Sequence, residues 1–298
     1  MYPEAGYSFD GCATTLPRKL GVLMKKLGVP VVTVITEGAF HRDPLYNMLQ
    51  IRKVKVSAHV KCIATAEELK EKSVAELDAL LDEAFSFDNF AWQRDNKVSI
   101  DVPFRADGLH RILYKCSHCG AENQMEGKGI HLKCHACKKQ WTMDQYGQLS
   151  ANKGDTEYPH IPDWYKWQRA CVRKELEDGT YLIDTDVDIA IQVNLDGVAM
   201  IGKGHLIHDL NGFHLTGADG KLDYKQSPVY SHTLYSDYYW YEIGDVIGIG
   251  DNEFSYFCFP DKSVSVTKAR LATEELYKIE KEKKIAARGK RKKATVSE

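Results

Sequence analysis

Four cysteines fall in two pairs, Cys116-Ser117-His118-Cys119 and Cys134-His135-Ala136-Cys137, with fourteen residues between the pairs. Each Cys-x-x-Cys turns tightly enough to aim two thiolates at one point. Two such turns supply four sulfur ligands in a tetrahedron, which is how a structural Zn²⁺ site is built. The competing readings are a pair of disulfides or four unrelated thiols. His118 and His135 lie inside the turns, but four cysteines already close the coordination shell. Both histidines are therefore expected on the surface of the knuckles. A closed shell also leaves no open position for chemistry, so the metal is expected to hold structure and not to react. A knuckle this small buries too little apolar surface to fold alone, and the metal supplies the missing free energy.

The cysteines divide the chain into three predicted parts, giving an α+β multidomain protein. Residues 103–150 are the ribbon, with short strands expected at Leu113–Lys115, Ile130–Lys133 and Gln140–Met143. Residues 1–102 read as α/β. Leu20, Leu23, Met24 and Leu27 share a helix face that Gly28 stops. The apolar, β-branched run Val29–Ile35 suits a strand buried on both faces, as in a parallel sheet. Val54–Val60 alternates as a half-buried strand. Thr65 with Glu68 and Ser73 with Glu76 have capping-box spacing ahead of two helices. Two strands cannot complete such a sheet, so this part reads as the second portion of a domain whose first portion is missing.

Residues 151–298 read as a β-rich domain with flanking helices and a basic tail. A polar linker, Ala151–Glu157, leads to a helix carrying Trp164, Trp167, Cys171, Val172 and Leu176. Short β segments follow at Val187–Val193, Met200–Ile207, Phe213–Leu215, Val229–Leu234, Val246–Ile249, Phe254–Phe259 and Val264–Thr267, separated by turns such as Asn211-Gly212 and Gly250-Asp251. That pattern predicts an antiparallel β barrel or sandwich, closed by a C-terminal helix over Lys268–Arg288. On the first helix, Trp164, Tyr165 and Trp167 with Arg169 and Arg173 suit either a membrane-interface face or plain packing against the rest of the fold.

The 298 residues are 43% apolar and 28% charged, the proportions of a soluble globular protein. A net charge of −2 gives no global attraction to nucleic acid, which is not expected as a partner. Cys12, Cys62, Cys171 and Cys258 are scattered and read as reduced thiols of a cytosolic compartment. No basic segment followed by an apolar run opens the chain, so no signal peptide is expected. No stretch approaches the roughly 18 to 20 apolar residues that span a bilayer.

Tyr2-Pro3-Glu4-Ala5-Gly6-Tyr7-Ser8 resembles the third conserved block of the lysophosphatidic acid (1-acyl-sn-glycerol-3-phosphate) acyltransferase family, usually Phe-Pro-Glu-Gly-Thr-Arg-Ser. The helix ending at Leu27 and the following Gly28-Val29-Pro30-Val31-Val32 resemble that family's next helix and its fourth block. The ribbon, Ile161-Pro162-Asp163-Trp164-Tyr165 and the stretch Gly202–Phe213 extend the likeness to a bacterial branch with a zinc ribbon and a β-rich C-terminal domain. The resemblance implies acyl transfer to lysophosphatidic acid in phospholipid biosynthesis, with acyl carrier protein or acyl-CoA as donor. It implies substrate-binding roles for Glu4 and Ser8 and places Pro30 beside the acyl channel. Tyr7 occupies the position of the family's arginine, which pairs with the acceptor phosphate.

The family's general base lies in a His-x-x-x-x-Asp motif ahead of the third block, and this chain opens at that block. The expectation is a truncated acyltransferase with no catalytic residue of its own, inactive alone. His214 with Asp219 and His232 with Asp237 have the spacing but fall on the wrong side of the block, and among eleven histidines one such match is expected by chance. The tail from Lys278 to Lys293 holds nine Lys or Arg against Glu280 and Glu282. It suits anionic lipid headgroups, nucleic acid or plain solvation. Together these imply a cytoplasmic protein peripheral to the inner face of the membrane. The rival reading is a zinc-ribbon module that docks on nucleic acid or a protein partner.

Overall fold

The computed structural model describes residue 4 and residues 6–14, 16, 20–193, 197–251 and 253–294, with side chains in the last helix only as far as Ala287. Two compact units divide the chain, Met1–Tyr165 and Lys166–Glu298. Helices and antiparallel sheets make a mixed α+β architecture.

The first unit opens with α1 (Leu20–Leu27), β1 (Val31–Glu37) and the short α2 (Ala39–Arg42). Then come β2 (Ser57–Ala64), α3 (Ala66–Glu71), α4 (Val74–Ala84) and α5 (Asn89–Asp95). Both expected capping boxes are formed. The Thr65 and Ser73 side chains accept from the Glu68 and Glu76 N–H groups, and both glutamates reach back. Met24 of α1 packs with Leu77 and Leu81 of α4 over Leu16, Ala64 and Leu69, with Leu20 partly buried beside them, whereas Leu23 and Leu27 of the expected face are exposed. Gly21 is needed where the two helices meet: a Cβ there would lie 2.6 Å from the Val74 carbonyl oxygen.

The parallel, doubly covered strand is not what forms. β1 pairs antiparallel with β2 in a two-stranded ribbon, Val34 opposite Val60 and Val32 opposite Cys62. One face, with Thr33 buried, turns toward the helices. The other carries Val32, Val34, Ala58, Val60 and Cys62, all exposed. An apolar run can serve either sheet type; which forms depends on the partner strand, and here the partner is the next strand of the chain.

A second sheet follows with strands in chain order: β3 (Met125–Lys128), β4 (His131–Cys134), β5 (Gln140–Met143) and β6 (Leu149–Ala151). Leu113–Lys115 is not one of its strands, although Lys115 makes an isolated bridge to Glu122. This sheet shares packing with the preceding helices. Phe90 leaves no room for a Cβ at Gly147, Gln93 donates to the Gln145 carbonyl, and Arg105 donates to that of Met143. The Asp88 carboxylate caps α5 and holds His160 at 2.7 Å.

The boundary between units falls within α6 (Ile161–Glu177). The second unit holds β7 (Ile183–Val193), β8 (Val198–Asp209), β9 (Gly212–Gly217), β10 (Leu222–Gln226), β11 (Tyr235–Trp240), β12 (Gly244–Gly250), β13 (Phe254–Pro260) and α7 (Val266–Ala294). They form one antiparallel sheet in the order β10-β9-β8-β7-β13-β12-β11. The expected barrel or sandwich is corrected to an open sheet with β10 and β11 as its edges.

That sheet is strongly curled. Strands β10 and β13 would stand about 19 Å apart if it were flat. Yet the Tyr224 and Tyr256 rings are 5.2 Å apart, and Gln226 Oε1 accepts from the Gly250 N–H at 3.2 Å. Residues 227–234 connect the two edges, which fits a curled sheet better than a flat one about 29 Å wide. Val229–Leu234 is therefore connection and not strand, and Val266–Thr267 already belongs to α7.

Candidate metal centre

Each cysteine pair is held by the same backbone device. The Gly120 N–H donates to the Cys116 carbonyl, and the Cys116 N–H to that of Ala121. In the second pair Lys138 donates to Cys134, and Cys134 to Lys139. Gly120 and Lys138, each just past its pair, both take left-handed φ, +75° and +66°. β4 delivers Cys134 at its end, and β5 begins directly after the second turn.

The two turns bring all four Sγ atoms within 4.8 Å of one another. Cys116 and Cys137 are 3.8 Å apart, as are Cys119 and Cys134. A disulfide would need about 2.05 Å. A tetrahedron of sulfurs about 2.3 Å from a central ion has edges of about 3.8 Å. The cluster is thus sized to hold a metal ion. Cys116 and Cys134 are fully buried, and burial pushes the Cys116 thiol well above its ordinary range. A cation among the sulfurs reverses that preference and favours thiolates.

Neither interleaved histidine joins the cluster. His118 Nδ1 lies 3.0 Å from Glu157 Oε1, and His135 Nε2 lies 3.1 Å from Glu126 Oε2. Glu157 also receives the Lys139 ammonium and the Ser117 hydroxyl. One carboxylate therefore ties the first turn to the residue just past the second. Burial alone would raise the Glu157 carboxyl, but the bonds from Lys139 and His118 hold it below its ordinary range. A lone acid in a polar linker carries no sequence signal of this role. Groups that orient metal ligands typically contribute 10- to 100-fold in affinity, so Glu157→Gln is expected to weaken metal binding by roughly that factor. Competition against a chromophoric chelator measures it; unchanged affinity would leave Glu157 a surface ion pair only.

Beneath the cluster, Trp141 and Trp164 are fully buried and meet edge to face at 5.0 Å. The Trp164 indole donates to the Lys115 carbonyl, one residue before the first cysteine. Trp164 and Tyr165 therefore pack inside the first unit. In the second unit, Arg169 and Arg173 pair with Glu274, Glu275 and Glu282. Trp164 and Tyr165 are thus used in packing and the two arginines in ion pairs, while Trp167 stays half-exposed.

The remaining sequence candidates are not brought together. Glu4 Oε1 accepts from the Thr14 N–H at 2.9 Å, and the Ser8 hydroxyl donates to the Cys12 carbonyl at 2.6 Å. Both are used within one loop. Pro30 is exposed at the entry to β1 and takes no part in it. Tyr2, Pro3 and Ala5 lie outside the described residues, as do the side chains from Arg288 to Lys293. His214 pairs with Asp223 at 2.8 Å and not with Asp219. His232 packs against the Tyr277 ring, and its buried Nε2 has no hydrogen-bond partner.

The second unit carries a charged cluster that the sequence reading did not single out. Asp184, Asp186 and Asp188 alternate along β7 on its exposed face. Asp186 and Asp188 line a cleft of about 670 Å³ with Lys203, His205 and Asp261. His205 is gripped at both ring nitrogens, by Asp184 at 2.7 Å and Asp186 at 2.9 Å. Those bonds raise its pKa. Carboxylates at both ring nitrogens favour the protonated imidazole. Among the described residues, the four cysteines are the one group suited to a metal. No helix among those residues is long and apolar enough to cross a membrane.

No protein-family model matches the chain, and no curated protein or solved structure matches it.

Proposed function

We propose that this chain is part of a lysophosphatidic acid acyltransferase, carrying the family's third and fourth blocks at Tyr2–Ser8 and Gly28–Val32. The intact enzyme moves an acyl group from acyl carrier protein or acyl-CoA to its membrane-borne acceptor. The four cysteines hold Zn²⁺, since a tetrahedral all-thiolate set suits that ion. The ion's role is structural, and it leaves no position for substrate.

The observation that carries the reading is the β1–β2 ribbon. It follows α1 and Pro30 in block order, and its outward face is bare and apolar. Two strands alone are marginal in water, and such a face suits a sheet that continues onto further structure. Acyl transfer needs a general base at the acceptor hydroxyl, and no described His–Asp pair stands near this ribbon's blocks in the family's order. The chain alone is therefore expected to transfer no acyl group when given lysophosphatidic acid and either donor. Joined to an upstream segment bearing His-x-x-x-x-Asp, it is expected to do so. Turnover by the chain alone, abolished by His214→Ala or His232→Ala, would overturn this assignment.

A further inference from the structure

We propose that the C-terminal half of α7 is a peripheral anchor for an anionic lipid surface. The helix has two unlike halves. From Val266 to Leu276 it is almost wholly buried, and it packs on β11 and β12. Residues 281–287 are all exposed, Ile285 among them. The helix continues to Ala294, so 281–294 amounts to about 21 Å of helix at 1.5 Å per residue. A polar helix without tertiary packing is a poor structure by itself.

Charge sets the sign of the partner. Between Lys166 and Tyr277 there are eighteen acidic residues against ten basic, while Lys278–Lys293 holds nine basic against two acidic. Some of the described cations are already paired, Lys278 with Glu275 and Lys283 with Glu280. Past Glu282 the sequence contains no acid until Glu298. An anionic surface therefore meets attraction at the end of the helix and repulsion at its base. The length of the basic half exceeds the Debye length of about 8 Å at physiological salt, so the acidic body is screened when the far end is docked. The preference for a lipid surface over a nucleic acid rests on the acyltransferase reading, which places the acceptor in a membrane.

The test is cosedimentation of the full chain with vesicles of phosphatidylcholine alone or mixed with phosphatidylglycerol, at low and high salt. The expected result is binding to the anionic vesicles only, weakened by salt. Replacing Arg288, Lys290, Arg291, Lys292 and Lys293 together by Gln is expected to lower partitioning by roughly tenfold or more. These residues lie beyond the packed half, so thermal unfolding should not change. Equal binding to neutral vesicles, no binding to anionic ones, no effect of the five substitutions, or displacement by equimolar single-stranded oligonucleotide would each overturn the proposal. The vesicles contain neither lysophosphatidic acid nor donor, so this outcome and that of the acyl-transfer assay are independent.

Discussion

Replacing Cys116 or Cys134 by serine is expected to drop bound zinc from about one ion per chain to near none and to unfold the ribbon. The two sulfurs are fully buried and sit in opposite pairs. Losing either leaves three ligands and a hydroxyl too weak to replace a thiolate. Structural zinc supplies an apparent ~10–16 kcal/mol in small knuckles at neutral pH, more than the whole stability of many domains. Damage should extend beyond the turns, because Trp164 donates to the Lys115 carbonyl and packs on Trp141. Metal analysis by mass spectrometry and hydrogen exchange over Met125–Met143 provide the readouts. Full zinc occupancy in both variants would sink the site, and intact protection without zinc would mean that the ion is incidental to the fold.

Glu274→Gln is expected to cost the second unit about 3–5 kcal/mol, the usual loss when one partner of a buried ion network is removed. Glu274 is 3% exposed and lies between Arg169 at 2.7 Å, Arg270 at 3.2 Å and the Thr233 hydroxyl at 2.9 Å. Neutralising it leaves the buried Arg270 guanidinium short of its compensating charge. A second substitution, Arg270→Met, should restore part of the loss, because the guanidinium that lost this carboxylate is then removed as well. Burial would raise the Glu274 carboxyl, but Arg169 and Arg270 outweigh it and hold it below its ordinary range. The unfolded chain therefore takes up this proton at higher pH than the folded one. The stabilisation is complete above the unfolded value of about 4.3 and disappears as pH falls through the lower folded value. Urea unfolding followed by exchange at Ala269–Leu276 checks both claims. A loss under about 1 kcal/mol would show the network to be water-accessible and weak.

Local chemistry was legible in the sequence wherever the interacting atoms are close along the chain. Thr65 with Glu68 and Ser73 with Glu76 close their capping boxes over three residues, and no distant element can easily override them. Each Cys-x-x-Cys is likewise a local turn, so the gathering of the four sulfurs, with His118 and His135 outside the cluster, followed from spacing. The acidic alternation Asp184, Asp186, Asp188 was missed, because the strand expected there began only at Val187 while the observed one begins at Ile183.

Pairing and closure were decided only by tertiary structure. Val31–Glu37 is apolar enough for a doubly covered parallel strand, and nothing in its own residues names Ser57–Ala64 as its antiparallel partner. Whether the seven strands of the second unit close their ladder depends on accumulated twist and on the 227–234 connection, not on any one strand's alternation. Hence an open curled sheet forms where a barrel or sandwich was expected. Glu157 gives the same lesson at a single residue. It sits 20 positions past Cys137 in a polar stretch, and only the folded chain sets its carboxylate beside Ser117, His118 and Lys139. Short-range hydrogen bonds and turn geometry are encoded where they act, whereas long-range partners are chosen by competition among many weak apolar alternatives, which one segment read alone cannot settle.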